Sequence, residues 1–136
     1  MSSHLVKDLL QQKDAGLFTT TPDTTVQDAL EMMVSKGISS LAVLSGQELV
    51  GIISERDYIR KAVPKRIVAW EIKVRDIMTS DVISVTSENT VRECMELMTS
   101  KRIRHLPVVD GKVLIGMLSI TDIIRALRPA RIDFPG

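Results

Sequence analysis

Two short stretches of this chain combine the residue types that could bind a phosphorylated ligand rich in hydroxyl groups. Each has a glycine, two apolar residues, a serine, two more residues and an aspartate: Gly51, Ser54 and Asp57 in the first, Gly116, Ser119 and Asp122 in the second. A strand that ends in a hydroxyl residue and leads into a helix presents free backbone N–H groups and the positive end of the helix dipole, which favour an anion. The serine can donate to a phosphate or sugar oxygen, and the aspartate can accept from both hydroxyls of a ribose.

The same spacing also has a purely structural interpretation. Ser-x-x-Asp is a capping box, in which the serine accepts from a backbone N–H of the first turn and the aspartate complements the helix dipole. A cap does not require the glycine three residues upstream. A glycine within a strand weakens it and often marks the close approach of a ligand or of another backbone segment. Both interpretations stay open at this point.

The two stretches are parts of an internal duplication. An offset of 65 pairs residues 21–62 with residues 86–127 without a gap, and about 17 of the 42 pairs are identical. Each copy must therefore have the same elements at the same spacing. A unit of about 50 residues buries too little surface to be stable alone. We therefore expect the two copies to pack together with pseudo-two-fold symmetry, each covering the apolar face of the other.

The apolar pattern of each copy predicts strand, helix, strand, strand, helix, which is an α+β fold. The first helix of each copy has a one-sided apolar stripe and begins after Thr25 or Thr90, in patterns of the capping-box kind. The two strands that follow are separated by Ser45-Gly46 and by Asp110-Gly111, as tight turns between antiparallel strands require.

Shorter elements complete each copy. Leading strands are predicted at 16–20 and 82–85, and second helices at about 56–63 and 121–127. Leu5, Val6, Leu9 and Leu10 mark an amphipathic helix before the first copy. The predicted domain boundaries are these: N-terminal helix 1–14, first unit 15–63, linker 64–79, second unit 80–128.

Composition excludes several classes of protein. A net charge of +1 provides no field that would draw the chain to nucleic acid or to an anionic membrane. Aromatic residues make up only 3% of the chain and leave few platforms for base stacking. The single cysteine, Cys94, excludes an intrachain disulfide and a thiolate metal cluster, and it lies on an apolar helix stripe as a buried residue would. We expect a cytoplasmic protein without a metal site, a membrane span or a nucleic-acid partner.

Both copies resemble cystathionine-beta-synthase (CBS) domains, and the chain resembles a stand-alone tandem pair, or Bateman module. The resemblance rests on the Gly-x-x-Ser-x-x-Asp junction of each copy and on the stretch Lys101-Arg-Ile-Arg-His-Leu-Pro-Val-Val-Asp110 before the second hairpin. It covers about residues 5–128. In that family, clefts between the two units bind adenosine-containing ligands such as AMP, ADP, ATP, S-adenosylmethionine or NAD. Pairs of units commonly form dimers and report energy or cofactor state to another protein.

The resemblance implies a role for each residue of the two junctions. It places Asp57 and Asp122 on the ribose hydroxyls, and the residues beside them on the ribose and phosphates: Ser54, Arg56, Ser119 and Thr121. Arg56 can pair with phosphate through two hydrogen bonds, whereas Thr121 offers one neutral donor. We therefore expect the two clefts to differ.

Five further residues are candidates for ligand contacts. Arg104 and His105 match family positions that often reach phosphate, but they could equally be surface residues at the start of a strand. Adenine would lie against the leading strands, near Phe18, Ile83 and Met78. Phe18 and Met78 also fit an ordinary core. Which leading strand serves which aspartate stays open.

Two functional hypotheses follow. The favoured one is a non-enzymatic, homodimeric regulatory module that binds AMP, ATP or NAD between its units and signals to an unidentified protein partner. The alternative is a dimeric protein-interaction module whose nucleotide sites are silent. An enzyme is disfavoured because no nucleophile stands with a base and an orienting acid, and no catalytic cofactor is implied.

Overall fold

The structure is a computed structural model that describes residues 4–13 and 16–127. It divides into two compact units. The first unit contains residues 16–83 and 112–114, and the second contains residues 4–13, 84–111 and 115–127. The helices and strands, numbered in chain order, are α1 (Val6–Gln12), β1 (Thr19–Thr20), α2 (Val26–Lys36), β2 (Ser40–Ser45), β3 (Glu48–Ser54), α3 (Glu55–Lys61), α4 (Val74–Ile77), α5 (Val91–Lys101), β4 (His105–Asp110), β5 (Val113–Ser119) and α6 (Ile120–Leu127).

The predicted α+β architecture with two repeated units is confirmed. In the first unit β2 lies between β1 and β3, parallel to β1 and antiparallel to β3. In the second unit β4 pairs with β5. The two hairpin turns contain Gly46 and Gly111 at φ of 64° and 62°, a left-handed conformation that glycine adopts without steric cost.

The capping residues of the long helices are also those that the sequence predicts. The Thr25 hydroxyl accepts from the Asp28 N–H at 3.1 Å, and the Thr90 hydroxyl accepts from the Glu93 N–H at 3.0 Å. The Glu93 carboxylate in turn accepts from the Thr90 N–H at 2.8 Å, which completes a capping box. The second helices are shifted slightly from the prediction, since α3 spans Glu55–Lys61 and α6 spans Ile120–Leu127.

The leading strands are shorter than predicted. In the first unit only Thr19–Thr20 forms a strand, instead of residues 16–20. Residues 82–85 form no strand, and Val85 makes a single parallel bridge to Val108. The residue before Val108 is Pro107, which has no N–H to donate the next bond of a parallel ladder. The equivalent residue of the first unit is Ala42, and there the ladder continues to Thr19.

Each unit has its own apolar core. In the first unit the buried face of α2 packs with buried residues of β2 and β3: Val26, Ala29, Met33, Leu41, Val43 and Ile53. The second unit buries the equivalent positions: Val91, Cys94, Met98, Leu106, Val108 and Leu118. Cys94 is fully buried, and burial together with the nearby Glu93 carboxylate raises the pKa of its thiol to about 11. This confirms the interpretation of Cys94 as a buried apolar residue.

The segment that precedes each repeat copy belongs to the unit built from the other copy. Residues 4–10 and 72–78 are equivalent at an offset of 68, as Val6-Lys-Asp-Leu-Leu10 and Val74-Arg-Asp-Ile-Met78 show. Their backbone hydrogen bonds repeat as well. Val6 donates to the Asn89 carbonyl and Val74 donates to the Thr24 carbonyl, both at 2.8 Å. This arrangement decides which preceding segment lies beside which aspartate.

Candidate functional site

In the first unit, Ser54 and Asp57 form a complete capping box where β3 meets α3. The Asp57 N–H donates to the Ser54 hydroxyl at 3.1 Å. Asp57 Oδ2 accepts from the Ser54 N–H at 2.9 Å and from the Ser54 hydroxyl at 3.1 Å. The capping interpretation is therefore confirmed, and Asp57 is fixed in orientation with 9% of its surface exposed.

The second carboxylate oxygen of Asp57 has partners from other segments. Oδ1 accepts from the Thr79 hydroxyl at 3.1 Å and lies 3.1 Å from the Lys61 ammonium, one helical turn along α3. Lys61 also donates to the Ile77 carbonyl at 2.8 Å. Thr79 is exposed, so one partner of Oδ1 lies at the protein surface.

The same segment accounts for the glycine at position 51, because Met78 and Thr79 pack closely against it. A Cβ at this position would lie 2.8 Å from the Met78 sulfur and 3.0 Å from the Thr79 carbonyl oxygen. Thr79 forms a bridge with Ile52, donating to its carbonyl at 2.8 Å and accepting from its N–H at 2.9 Å. The close approach that the mid-strand glycine predicts is thus made by the chain itself.

Ser119 and Asp122 repeat this geometry in the second unit. The Asp122 N–H donates to the Ser119 hydroxyl at 3.2 Å. Asp122 Oδ2 accepts from the Ser119 N–H at 2.8 Å and from its hydroxyl at 3.1 Å. Gly116 is approached by the Leu10 side chain, whose Cδ2 would lie 2.6 Å from an added Cβ.

The other partner of Asp122 is Lys13, which follows α1. The Lys13 ammonium lies 2.9 Å from Asp122 Oδ2 and 2.5 Å from the Met117 carbonyl oxygen. Burial of Asp122 raises the pKa of its carboxyl, but hydrogen bonds from Ser119 and the Lys13 ammonium outweigh burial. The pKa therefore lies below its ordinary value, and Asp122 is a carboxylate at neutral pH.

Comparison with known proteins identifies both copies. The family model of the CBS domain matches the chain twice, over residues 6–63 and 74–129. The chain belongs to the CBS-domain family. It is a tandem CBS pair, as the sequence predicts.

Several known proteins are similar to this chain. A solved CBS-domain protein of Burkholderia ambifaria, to which a signal-transduction role is ascribed, matches with a TM-score of 0.92 at 37% identity, covering 97% of this chain and 99% of that one. The mitochondrial CBS domain-containing protein CBSX3 of Arabidopsis thaliana is 40% identical over a match 134 residues long that covers 92% of this chain and 65% of that protein. Inosine-5'-monophosphate dehydrogenase of Methanocaldococcus jannaschii is 37% identical over a match 111 residues long that covers 80% of this chain and 21% of the enzyme. The chain thus spans less than two thirds of the length of both curated relatives.

The remaining CBS junction residues lie at the surface. Arg56 and Thr121 are exposed on the first turns of α3 and α6. Arg104 is exposed too, and its carbonyl accepts from the Ile120 N–H at 2.8 Å, just before His105 begins β4. The structure therefore places Arg104 and His105 next to the start of α6, within the same unit as Asp122.

The predicted adenine contacts are spread over the first unit. Phe18 and Met78 are partly buried against its apolar core, and the Lys36 ammonium lies 5.1 Å from the centre of the Phe18 ring. Ile83 is partly exposed. Met78 also approaches Gly51 and therefore lies beside the Asp57 junction, whereas the contacts of Phe18 are those of a core residue.

The sequence patterns did not indicate three residues that contact the aspartates: Lys13, Lys61 and Thr79. Lys61 follows Asp57 by four residues on α3, a spacing that places two side chains side by side on a helix. Lys13 and Thr79 come from distant segments. The repeated Val-(Lys/Arg)-Asp pattern at residues 6–8 and 74–76 indicates that these two segments are equivalent. Its offset of 68 differs from the 65 of the main repeat, so a comparison at that single offset does not find it.

Among residues 4–13 and 16–127, no helix has the length and the apolar character needed to cross a bilayer.

Proposed function

We propose that this CBS pair is a non-enzymatic regulatory module that binds an adenine nucleotide at its two strand-to-helix junctions. The observation that carries the proposal is the pair of equivalent aspartates, Asp57 and Asp122, each held by a serine and each beside an ammonium group. A fixed carboxylate of this kind can accept both hydroxyls of a ribose in charge-assisted hydrogen bonds. The relatives with a regulatory character support the same class of function.

The side chains beside the aspartates favour a phosphorylated ligand. Arg56 is exposed at the second position of α3, one residue before Asp57, and carries no short ion pair among the described residues. Its guanidinium can form a two-bond pair with a phosphate. Thr121 occupies the equivalent position of α6 and is neutral. We therefore propose AMP, ATP or NAD as the ligand class.

The output of such a module is a change in its interactions with other proteins. A nucleotide shifts a conformational equilibrium only as far as its affinities for the two states differ. We propose a homodimer that signals to a separate protein partner in the cytoplasm. Dimerisation is supported by apolar side chains exposed at equivalent positions of α3 and α6, Ile59 at 59% and Ile124 at 51%. The same observation would suit an interaction module with silent nucleotide sites.

Nucleotide binding to single-site variants separates these functions. Asp57→Asn and Asp122→Asn keep a side-chain acceptor for the cap but lose the charge, so each should weaken nucleotide binding at its own junction by about one to two orders of magnitude. Isothermal titration with AMP, ATP and NAD measures both affinity and the number of sites. Asp76→Asn is the matched control, because the exposed Asp76 carboxylate caps α4 through the Lys73 N–H at 2.8 Å.

The outcomes distinguish the two hypotheses. Nucleotide binding that is lost in the junction variants and retained in Asp76→Asn supports the sensor. Folded wild-type protein that binds none of the three nucleotides contradicts it and leaves the interaction module with silent sites.

A further inference from the structure

The hydrogen-bond donor that a distant segment brings to the aspartate differs between the two junctions. In the first unit Thr79 uses two donors: its N–H binds the Ile52 carbonyl and its hydroxyl binds Asp57. In the second unit the residue equivalent to Ile52 is Met117. There the single Lys13 ammonium binds both the Met117 carbonyl and Asp122. A lysine side chain thus replaces a neutral threonine.

The length of the preceding helix accounts for this replacement. After the equivalent residues Leu10 and Met78 the two chains diverge, because α4 ends at Ile77 and α1 continues to Gln12. The chain after α4 is therefore free to extend and bring Thr79 to Ile52. The additional turn of α1 prevents an equivalent bridge by Gln11. It leaves Lys13 at the helix end, where its backbone N–H donates to the Leu9 and Leu10 carbonyls.

Lys13 competes for an oxygen that already has its partners. Asp122 Oδ2 accepts from the Ser119 N–H, the Ser119 hydroxyl and the Lys13 ammonium, which exceeds the two lone pairs of a carboxylate oxygen. A ribose that uses both carboxylate oxygens must displace one of these donors. The Ser119 bonds belong to the local capping box, whereas Lys13 arrives from a segment 109 residues away. Lys13 is therefore the donor that a ligand can displace.

We propose that Lys13 is an internal competitor for the Asp122 junction, which a nucleotide must displace and which thereby couples ligand binding to release of the C-terminal end of α1. The proposal rests on the proposed function, since it assumes that a ribose binds Asp122. The rest of α1 stays in place, because Val6 and Leu9 are buried in the second unit. The moving part is the last turn with Lys13. At the Asp57 junction the ammonium of Lys61 belongs to the same helix as Asp57, and the donor from a distant segment is the neutral Thr79 hydroxyl.

The test removes the ammonium while keeping its aliphatic stem. Lys13→Met is made in an Asp57→Asn background, so that titration reports the Asp122 junction. The matched control in the same background is Lys7→Met, because Lys7 lies on the same helix and pairs with the exposed Glu88 at 3.3 Å. Adenosine, AMP and ATP are the probes, since they share the ribose diol and differ in charge. Affinity is measured by isothermal titration, and exchange of the Gln12 and Lys13 amides by NMR.

A competitor and a phosphate contact give opposite results. We expect Lys13→Met to bind all three probes about five- to tenfold more tightly, the effect of removing one charge-assisted hydrogen bond. Lys7→Met should bind as the Asp57→Asn protein does. AMP should also speed amide exchange at the end of α1 when Lys13 is present.

Three results would overturn the inference. Equal affinity in Lys13→Met and its parent overturns the competitor while the proposed function stands. Weaker binding, most of all of ATP, makes Lys13 a phosphate contact instead. If none of the probes binds either protein, the proposed function fails at this junction, and the competitor fails with it.

Discussion

At the residue scale, Asp57 and Asp122 show how one motif can form two different sites. Each aspartate has the same bonds from its own serine. Their remaining partners differ, since Asp57 faces Thr79 and Lys61 while Asp122 faces Lys13. The sequence motif specifies the local capping box, because its members are three residues apart. It does not specify partners that arrive from distant segments.

The Lys13–Asp122 pair should stabilise the fold in a pH-dependent way. Because the folded-state pKa of Asp122 is lowered, its contribution is complete above the ordinary carboxyl pKa and is lost as the pH falls through the folded value. We expect Lys13→Met to lower the free energy of unfolding by about 1 kcal/mol at neutral pH. The difference from the wild type should shrink in acid, where Asp122 is protonated in both proteins and the wild-type Lys13 keeps only its bond to the Met117 carbonyl.

Urea unfolding of both proteins at a series of pH values measures this difference. Carboxyls that titrate in both proteins, such as those of Glu93 and Asp110, contribute equally and cancel. Lys7→Met is the control, because the Lys7–Glu88 pair is exposed on both sides and should contribute less. A difference that stays constant down to strong acid would mean that Lys13 stabilises the protein through its bond to the Met117 carbonyl and not through Asp122.

At the element scale, the repeat and its helix caps could be predicted because they depend on local patterns. Apolar period, capping residues and hairpin glycines all lie within a few residues of one another. The pairing of the leading strands could not be predicted in this way, because it depends on which residues of the neighbouring strand have a backbone N–H to donate. The sequence alone aligns Ala42 with Pro107. The effect of this difference on strand pairing follows only once the sheet order is known, with β2 between β1 and β3 and with β4 paired to β5.

This difference between strands predicts opposite tolerance to proline. Ala42→Pro should destabilise the protein by about 1–3 kcal/mol, because proline in a central strand removes a ladder hydrogen bond and leaves its acceptor without a partner. Pro107→Ala should have a much smaller effect, since the second unit already folds around that residue. Chemical denaturation of the two variants gives both values. Equal and small effects would show that the pairing of β1 with β2 contributes little to stability.

At the scale of the whole molecule, the segment that precedes each repeat copy belongs to the unit built from the other copy. Residues 4–13 belong to the unit that carries Asp122, and residues 64–83 belong to the unit that carries Asp57. The predicted linker 64–79 is therefore part of the first unit and supplies Thr79 to its junction. A change at either preceding segment should act on the junction of the unit to which that segment belongs.

The proposed homodimer makes a prediction at this scale. Ile59 and Ile124 are exposed at equivalent positions of α3 and α6, so a dimer that covers these helices would bury both. Ile59→Glu combined with Ile124→Glu should convert the dimer to a folded monomer, because a carboxylate would be buried without a partner. Val34→Glu is the control, since Val34 is 80% exposed on α2. Sedimentation equilibrium reports the mass, and an unchanged dimer in the double variant would place the interface elsewhere.

The central claim is that an adenine nucleotide binds at the two strand-to-helix junctions, and NMR titration of the wild-type protein tests it most directly. Amide resonances can be followed residue by residue while AMP, ATP or NAD is added. The account predicts saturable shifts that are largest at Ser54–Asp57 and Ser119–Asp122, with those at Lys13 following the second junction. Spectra of a folded protein that do not change with any of the three nucleotides would contradict it, as would shifts confined to surfaces away from both aspartates.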